Sequence, residues 1–165
     1  LTFRELRGNM ASRLSKVPEG GAIVVAVAAF VRLDLAEHLT EVLSVDAMIP
    51  QVGQGALAVE CRADDAAVRA LLGAIEHAPS RRRVDAERAF LVELGGDCDL
   101  PAGAHARFQG VQPSGPLVLD AFLAGSGRAG APYVRHQAAA DAPVELGTAA
   151  ARHLRSALAA LPPES

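Results

Sequence analysis

The sequence predicts an α/β front segment followed, from about residue 77, by an α+β domain with a three-stranded antiparallel sheet and helices. Three observations predict this fold class. A continuous apolar run at residues 22–28 is typical of a strand that is covered on both faces. Three short strand-like runs near the end of the chain are separated by turn-forming residues. Helical periodicity flanks these three runs on both sides.

The first elements are a helix, a strand and a helical connection. Asn9 is a favourable N-cap residue and predicts a short helix through Ser15. Residues 22–28 are small or β-branched without a polar alternation, so we expect a buried strand of a parallel or mixed sheet. Residues 30–39 then read as a short helical connection.

The next elements are a loop, a second strand and a helix. Proline and two glycines punctuate residues 50–55 and predict a loop. The apolar-rich residues 56–62 follow as the second predicted strand, which would place Cys61 in the core. Asp64 and Asp65 precede apolar residues at helical spacing and favour the positive end of a helix.

The back domain is predicted as helix, three strands and helix. Its first helix begins at Pro79–Ser80 and ends at Gly95–Gly96, because glycine favours the left-handed conformation that closes a helix. The last helix carries an inward apolar stripe that reaches Leu161. The predicted strands occupy residues 104–108, 117–123 and 133–137, and the last helix occupies residues 143–160.

Composition excludes several classes of function. The chain has 165 residues, a net charge of −3, one tyrosine and no tryptophan, which disfavours nucleic-acid binding. The longest apolar run, residues 22–31, is too short to cross a bilayer, and no signal-peptide pattern is visible. Two cysteines and five histidines without ligand spacing give no metal site. We expect a cytoplasmic protein that binds neither nucleic acid nor membrane.

Four motifs carry the functional interpretation. They are LRGN with SRL at residues 6–14, AAFVRL at residues 28–33, PQVGQGAL at residues 50–57, and AERAFL at residues 86–91 continuing to GDCDLPAGA at residues 96–104. Their order, spacing and content resemble the porphobilinogen deaminase (hydroxymethylbilane synthase) family. The resemblance covers residues 6–104 closely and the remaining residues in architecture.

This resemblance implies the C-terminal portion of a three-domain enzyme. The front would be the remnant of a two-domain fold like that of periplasmic binding proteins. Residues 1–55 would form the second half of domain 2, residues 56–76 a return segment of domain 1, and residues 77–165 the C-terminal domain that anchors the cofactor. The implied activity is that of a transferase of tetrapyrrole and haem biosynthesis. It condenses four porphobilinogen molecules head to tail, releases ammonia at each step and yields hydroxymethylbilane.

The resemblance also assigns site residues. Cys98 would hold a dipyrromethane cofactor through a thioether, which suits the nucleophilicity of sulfur. Arg7, Arg13 and Arg32 match the family's carboxylate-binding arginines, and guanidinium forks bind the acetate and propionate of each pyrrole bidentately. Gln54 would bind cofactor or substrate at the crossing between two domains. Asp97 replaces a small residue and should raise the pKa of the neighbouring thiol.

The catalytic aspartate of the family lies in its N-terminal half, so no residue here is assigned that role and the isolated chain is expected to be inactive. Porphobilinogen and the growing polypyrrole would be its partners, and a monomer is expected. Two alternatives stay open at this point: a non-catalytic two-domain α/β ligand-binding module, and an inactive truncated product. The run Arg81, Arg82 and Arg83 is predicted to be a solvated helix face.

Overall fold

A computed structural model describes residues 2–96, 100–125 and 130–162. Contacts divide the chain into two compact units, Leu1–Leu43 and Ser44–Ser165. Each unit is described by itself. The domain boundaries expected at residues 55 and 76 stay a prediction. Among the described residues, no helix combines the length and apolarity needed to cross a membrane.

The first unit contains short helices around one buried aromatic ring. Helix α1 covers Met10–Ser15, helix α2 covers Val27–Arg32, and a 3-10 turn covers Ala36–His38. Phe30 is 2% exposed and anchors α2 within this unit. The Leu35 amide donates to the Phe30 carbonyl at 2.9 Å, which folds the chain back directly after the helix.

The strand predicted at residues 22–28 is wrong in this structure. Residues 21–26 have no regular structure, and Val27 begins α2. A strand satisfies its backbone N–H and C=O groups only through a neighbouring strand. The described residues of this unit supply no such neighbour. The helical prediction for residues 30–39 is confirmed in part, by α2 and the 3-10 turn.

The second unit begins with turns and an isolated helix. Residues 50–55 form the predicted loop, but residues 56–62 are exposed and irregular instead of forming the predicted strand. The reason is again the lack of a pairing strand among the described residues. Helix α3 covers Ala66–Ile75, and the Asp65 carboxylate accepts from the Val68 amide at 3.0 Å as the acidic N-cap predicts.

The back of the second unit has the predicted order of helix, three strands and helix. The elements are α4 Ala78–Leu94, β1 Ala102–Phe108, β2 Leu117–Ala124, β3 Tyr133–Ala140 and α5 Pro143–Ala159. Helix α4 is closed by Gly95, whose φ of 106° is left-handed. The three strands form one antiparallel sheet in the order β1-β2-β3, with Ala104 opposite Ala121 and Ala121 opposite His136.

The core lies between one face of this sheet and the two helices. Alternate strand residues face α4 and α5, as expected for a sheet covered on one side. Leu161, predicted to face inward, is 37% exposed because α5 ends before it. The fully buried side chains of the core include Phe90, Ala104, Leu117, Leu119, Ala121, Ala150 and Leu154.

Candidate functional site

The turn before α1 gathers three cationic side chains. Asn9 caps the helix by accepting from the Ser12 amide at 2.9 Å. The Arg13 Nε donates to the Gly8 carbonyl at 2.8 Å, and the Lys16 Nζ donates to the Arg7 carbonyl at 3.0 Å. These two bonds bring Arg13 and Lys16 back onto the backbone that carries Arg7. We call Arg7, Arg13 and Lys16 the cation cluster.

Gly8 makes this turn possible. Its φ of 128° is a conformation that side-chain-bearing residues rarely adopt. A Cβ on Gly8 would also lie 2.8 Å from the Ser12 Oγ, so a side chain there would collide with the first turn of α1. The glycine therefore lets the preceding chain approach α1 closely, so that Arg13 reaches the Gly8 carbonyl and Lys16 reaches the Arg7 carbonyl.

The guanidinium of Arg7 is open to an anion from solution. Its Nη2 pairs with the Glu5 Oε2 at 3.2 Å, with the side chains 88% and 84% exposed. Such exposed pairs contribute little because water and salt screen them. Arg13 uses its Nε on a carbonyl group and, within the described residues, forms no salt bridge. Both forks are therefore accessible to carboxylates.

Arg32 lies at the last position of α2 in the same unit. It is exposed, and no carboxylate of the described residues pairs with it. Buried Phe30, two residues earlier, fixes the helix that carries it. The structure thus places all three predicted arginines in the first unit, with Arg7 and Arg13 held on one folded turn.

Gln54 lies in the second unit, at the exposed tip of the loop at residues 50–55. The glycines on either side of it have φ values of 70° and 81°, which explains why glycine occupies both positions. The Gln54 amide donates to the Gln51 carbonyl at 3.1 Å and closes the turn. The amide of Gly53 donates to the Glu87 carboxylate at 2.8 Å.

Asp97 and Cys98 lie outside the described residues. Leu94, at the end of α4, and Leu100 line an apolar hollow of about 320 Å³. Arg155 also lines this hollow and donates to the Glu93 carbonyl at 2.6 Å. The hydrogen bond from Arg152, followed by the charges of Arg152 and Arg155, lowers the pKa of the Glu93 carboxyl.

Two other sequence-based assignments are wrong. Cys61 was expected to lie within a strand and in the core, but it is exposed because residues 56–62 form no strand. Only Arg81 of the predicted solvated arginine run is exposed. Arg82 donates to the carbonyl groups of Gly115 at 3.4 Å and Asp141 at 3.1 Å, so it joins two turns of the domain. Arg83 is partly buried.

The sequence also showed no sign of a contact between two of the histidines. The rings of His136 in β3 and His153 in α5 stack with centroids 4.0 Å apart. Burial, together with the charge of His153, lowers the pKa of His136. Among the described ranges, no group of three or more His, Cys, Asp or Glu residues is placed to hold a metal ion.

Sequence analysis also missed Lys16 and Glu87. Lys16 follows the matched motif and has no signal of its own. Glu87 had a signal, because it lies three residues after Val84 and three before Phe90 on the apolar side of α4. A carboxylate at such a position indicates a buried partner.

Two family models match consecutive parts of the chain. Residues 1–70 match the model described as "Porphobilinogen deaminase, dipyromethane cofactor binding domain". Residues 81–156 match "Porphobilinogen deaminase, C-terminal domain". The chain belongs to the porphobilinogen deaminase family. The cation cluster and Arg32 lie in the part that matches the cofactor-binding model, and the three-stranded sheet lies in the part that matches the C-terminal model.

Curated relatives agree with this family. The porphobilinogen deaminase of Gloeobacter violaceus is 40% identical over 159 residues, which is 95% of this chain and 48% of that protein. The one from Desulforudis audaxviator is 44% identical over 153 residues, 90% of this chain and 48% of its own length. That of Acidithiobacillus ferrooxidans is 42% identical over 137 residues, 76% of this chain and 45% of its length. The chain spans about half the length of these relatives.

The described residues fit an acidic cofactor. In the cation cluster, Arg7 pairs with a carboxylate only at an exposed position and Arg13 pairs with none among the described residues, and Arg32 offers a further guanidinium in the same unit. Carboxylates of a pyrrole chain are the natural ligands of such groups. The donor set thus suits the dipyrromethane named by the matching model.

Proposed function

We propose that this chain is the C-terminal portion of a porphobilinogen deaminase, the transferase that forms hydroxymethylbilane in haem and tetrapyrrole biosynthesis. In the overall reaction, four porphobilinogen molecules and one water give one hydroxymethylbilane and four ammonia molecules. The family's catalytic aspartate belongs to its N-terminal half, so none of these residues is assigned the role of proton donor. The two relatives named porphobilinogen deaminase, from Gloeobacter violaceus and Desulforudis audaxviator, support the proposal.

The observation that carries the proposal is the cation cluster inside the part that matches the cofactor-binding model. Each pyrrole unit brings an acetate and a propionate, so the substrate and the growing chain are polyanions. Arg7, Arg13 and Arg32 would bind these carboxylates through their forks, and Lys16 would add a point charge. Gln54 would donate a hydrogen bond to the cofactor or substrate, or accept one from it.

Cys98 is proposed as the attachment point of the cofactor. Its sulfur would be loaded with dipyrromethane and would hold it through a thioether to a methylene carbon. When bound, dipyrromethane serves as the primer on which substrate units are added. Asp97 would raise the pKa of the thiol and slow this loading.

The fold proposal goes beyond the described sheet. Residues 1–55 and 56–76 would belong to the two domains of a periplasmic-binding-protein-like architecture, with residues 77–165 as the cofactor-anchoring domain. In that arrangement residues 22–28 and 56–62 would gain neighbouring strands from the other half of the enzyme. Their apolar composition supports this proposal. The enzyme would be a cytoplasmic monomer, which agrees with a chain of moderate charge.

Intact mass spectrometry of the full gene product tests the proposal. The product is expressed in cells that make porphobilinogen, as the natural sequence and as C98S and C61S variants. We expect a mass increase of two porphobilinogen less two ammonia in the natural sequence and in C61S, and none in C98S. An unmodified Cys98 in a folded product that still binds porphobilinogen would instead support the non-catalytic binding module.

A further inference from the structure

The carboxylate of Glu87 is buried in the middle of α4 and is 6% exposed. Its Oε2 accepts from the Gly53 amide at 2.8 Å, and its Oε1 accepts from the Ala106 amide at 2.9 Å. A buried carboxylate is costly unless its oxygens are hydrogen-bonded. Each oxygen therefore has a backbone donor, and these come from two different parts of the chain.

The backbone of Pro50 also holds this loop against β1. The Ala104 amide donates to the Pro50 carbonyl at 3.1 Å. A Cβ on Gly103 would lie 2.6 Å from the Pro50 carbonyl oxygen, so the loop backbone occupies the place of a side chain. Ile49 is 6% exposed, and Val52 packs against the core. The chain is thus fixed up to Gly53.

Immediately after Gly53 the anchoring ends. Gln54 forms the exposed tip of the turn, and Ala56 closes the turn by donating to the Gly53 carbonyl at 3.0 Å. Residues 56–62 are all exposed. Within the described ranges, the bond from Gly53 to Glu87 is therefore the last hydrogen bond along the chain that joins this turn to α4.

We propose that Glu87 is a positioning residue for this reaction: it holds the turn of Gln54 at a set distance from α4. Through the Gly53 amide, Glu87 fixes the turn that presents Gln54 against α4. This inference rests on the proposed function of Gln54.

Amide hydrogen exchange of the unmodified chain tests the anchor directly. The Gly53 amide is expected to exchange as slowly as the Ala106 amide, since both donate to the same carboxylate. The exposed Val59 amide provides the fast reference. Exchange of Gly53 at the rate of Val59 would overturn the proposal without any variant, and it would leave the family's chemistry untouched.

The E87Q variant tests the role, and E93Q is its matched control. In E87Q one acceptor oxygen remains for two N–H donors, so the Gly53 or the Ala106 amide should exchange about tenfold faster, and unchanged exchange of both would contradict the role. Amides of β2 should keep their protection. E93Q makes the same chemical change elsewhere on α4, at a side chain that is 25% exposed and pairs with Arg152, and should leave Gly53 protected. Equal acceleration in β2 would indicate general destabilisation and reject a positioning role.

A double-mutant cycle in the full gene product tests whether Glu87 acts through Gln54. We expect kcat/KM for porphobilinogen to fall about tenfold in E87Q, and E87Q to add less than about twofold in a Q54A background. Independent effects that multiply would contradict the proposal. If the full gene product of natural sequence carried no dipyrromethane adduct and showed no turnover, the proposed function would be refuted. The hydrogen-exchange result for Gly53 would be unaffected.

Discussion

Gly147 of α5 lies directly against the backbone of α4 at Ala86. A Cβ on Gly147 would clash with the Ala86 carbonyl oxygen, and it would lie 2.7 Å from the Phe90 amide nitrogen and 2.9 Å from the Ala89 Cβ. Backbone atoms cannot rotate away as a side chain can. The close approach of the two helices over the core therefore depends on this glycine.

We expect G147A to destabilise the C-terminal domain by about 1–3 kcal/mol, because overpacking forces the helices apart. Alanine's higher helix propensity opposes this loss by only about 1 kcal/mol. Chemical denaturation followed by circular dichroism at 222 nm measures the change. G73A in α3 is the matched control, since nothing lies within 4 Å of a Cβ there. The G73A variant should gain helicity. Equal stability of G147A and the natural chain would contradict the contact between Gly147 and α4.

Arg82 should contribute to stability although sequence reasoning placed it in solvent. R82K would lose the fork that reaches Gly115 and Asp141, and the stacking of the guanidinium 5.4 Å from the Phe108 ring centroid. We expect a loss of about 1–2 kcal/mol in the free energy of unfolding. R88K, at an exposed position of the same helix, should change it by less than about 0.5 kcal/mol. Equal effects of the two variants would refute the assignment.

The His136–His153 stack should make stability depend on pH. The pKa of His136 is lowered from its ordinary 6.5, first by burial and then by the charge of His153. The unfolded chain therefore binds more protons below 6.5, so this contribution is complete above that pH and is lost as the pH falls from 6.5 through the lowered pKa. Unfolding midpoints between pH 7.5 and pH 5 measure the loss.

H136N should flatten this pH profile, because it removes the titrating ring. H38N is the control, since His38 lies in the other unit and is exposed. A profile of H136N that matches the natural chain would show that another group causes the pH dependence.

The thiol of Cys61 should react freely in the folded chain. In a C98S background, we expect an aromatic disulfide reagent to modify Cys61 without denaturant at the rate of an unfolded control. A C61S, C98S double variant gives the background signal. Protection of Cys61 until the chain unfolds would instead support the strand that sequence analysis predicted at residues 56–62.

The elements of the C-terminal domain follow from local signals. The helical spacing of Ala86 and Phe90, the closing Gly95, and turn residues between the strands all lie within short stretches of sequence. Hydrophobic periodicity and helix capping depend on residues that are close in sequence. The ends of α4, α5 and the three strands could therefore be predicted to within a few residues. The motif around Arg7 and Arg13 was recognisable for the same reason.

Tertiary structure alone decided which groups meet across the chain. Gly53 is 34 residues from Glu87, and no local pattern could show that its amide donates to that carboxylate. Likewise, the apolar residues 22–28 and 56–62 have strand composition, but a strand exists only where a neighbour satisfies its backbone. The sequence by itself determined the helices, the turns and the cationic motif. Long-range hydrogen bonding and burial determined where Glu87, Arg82 and Cys61 lie.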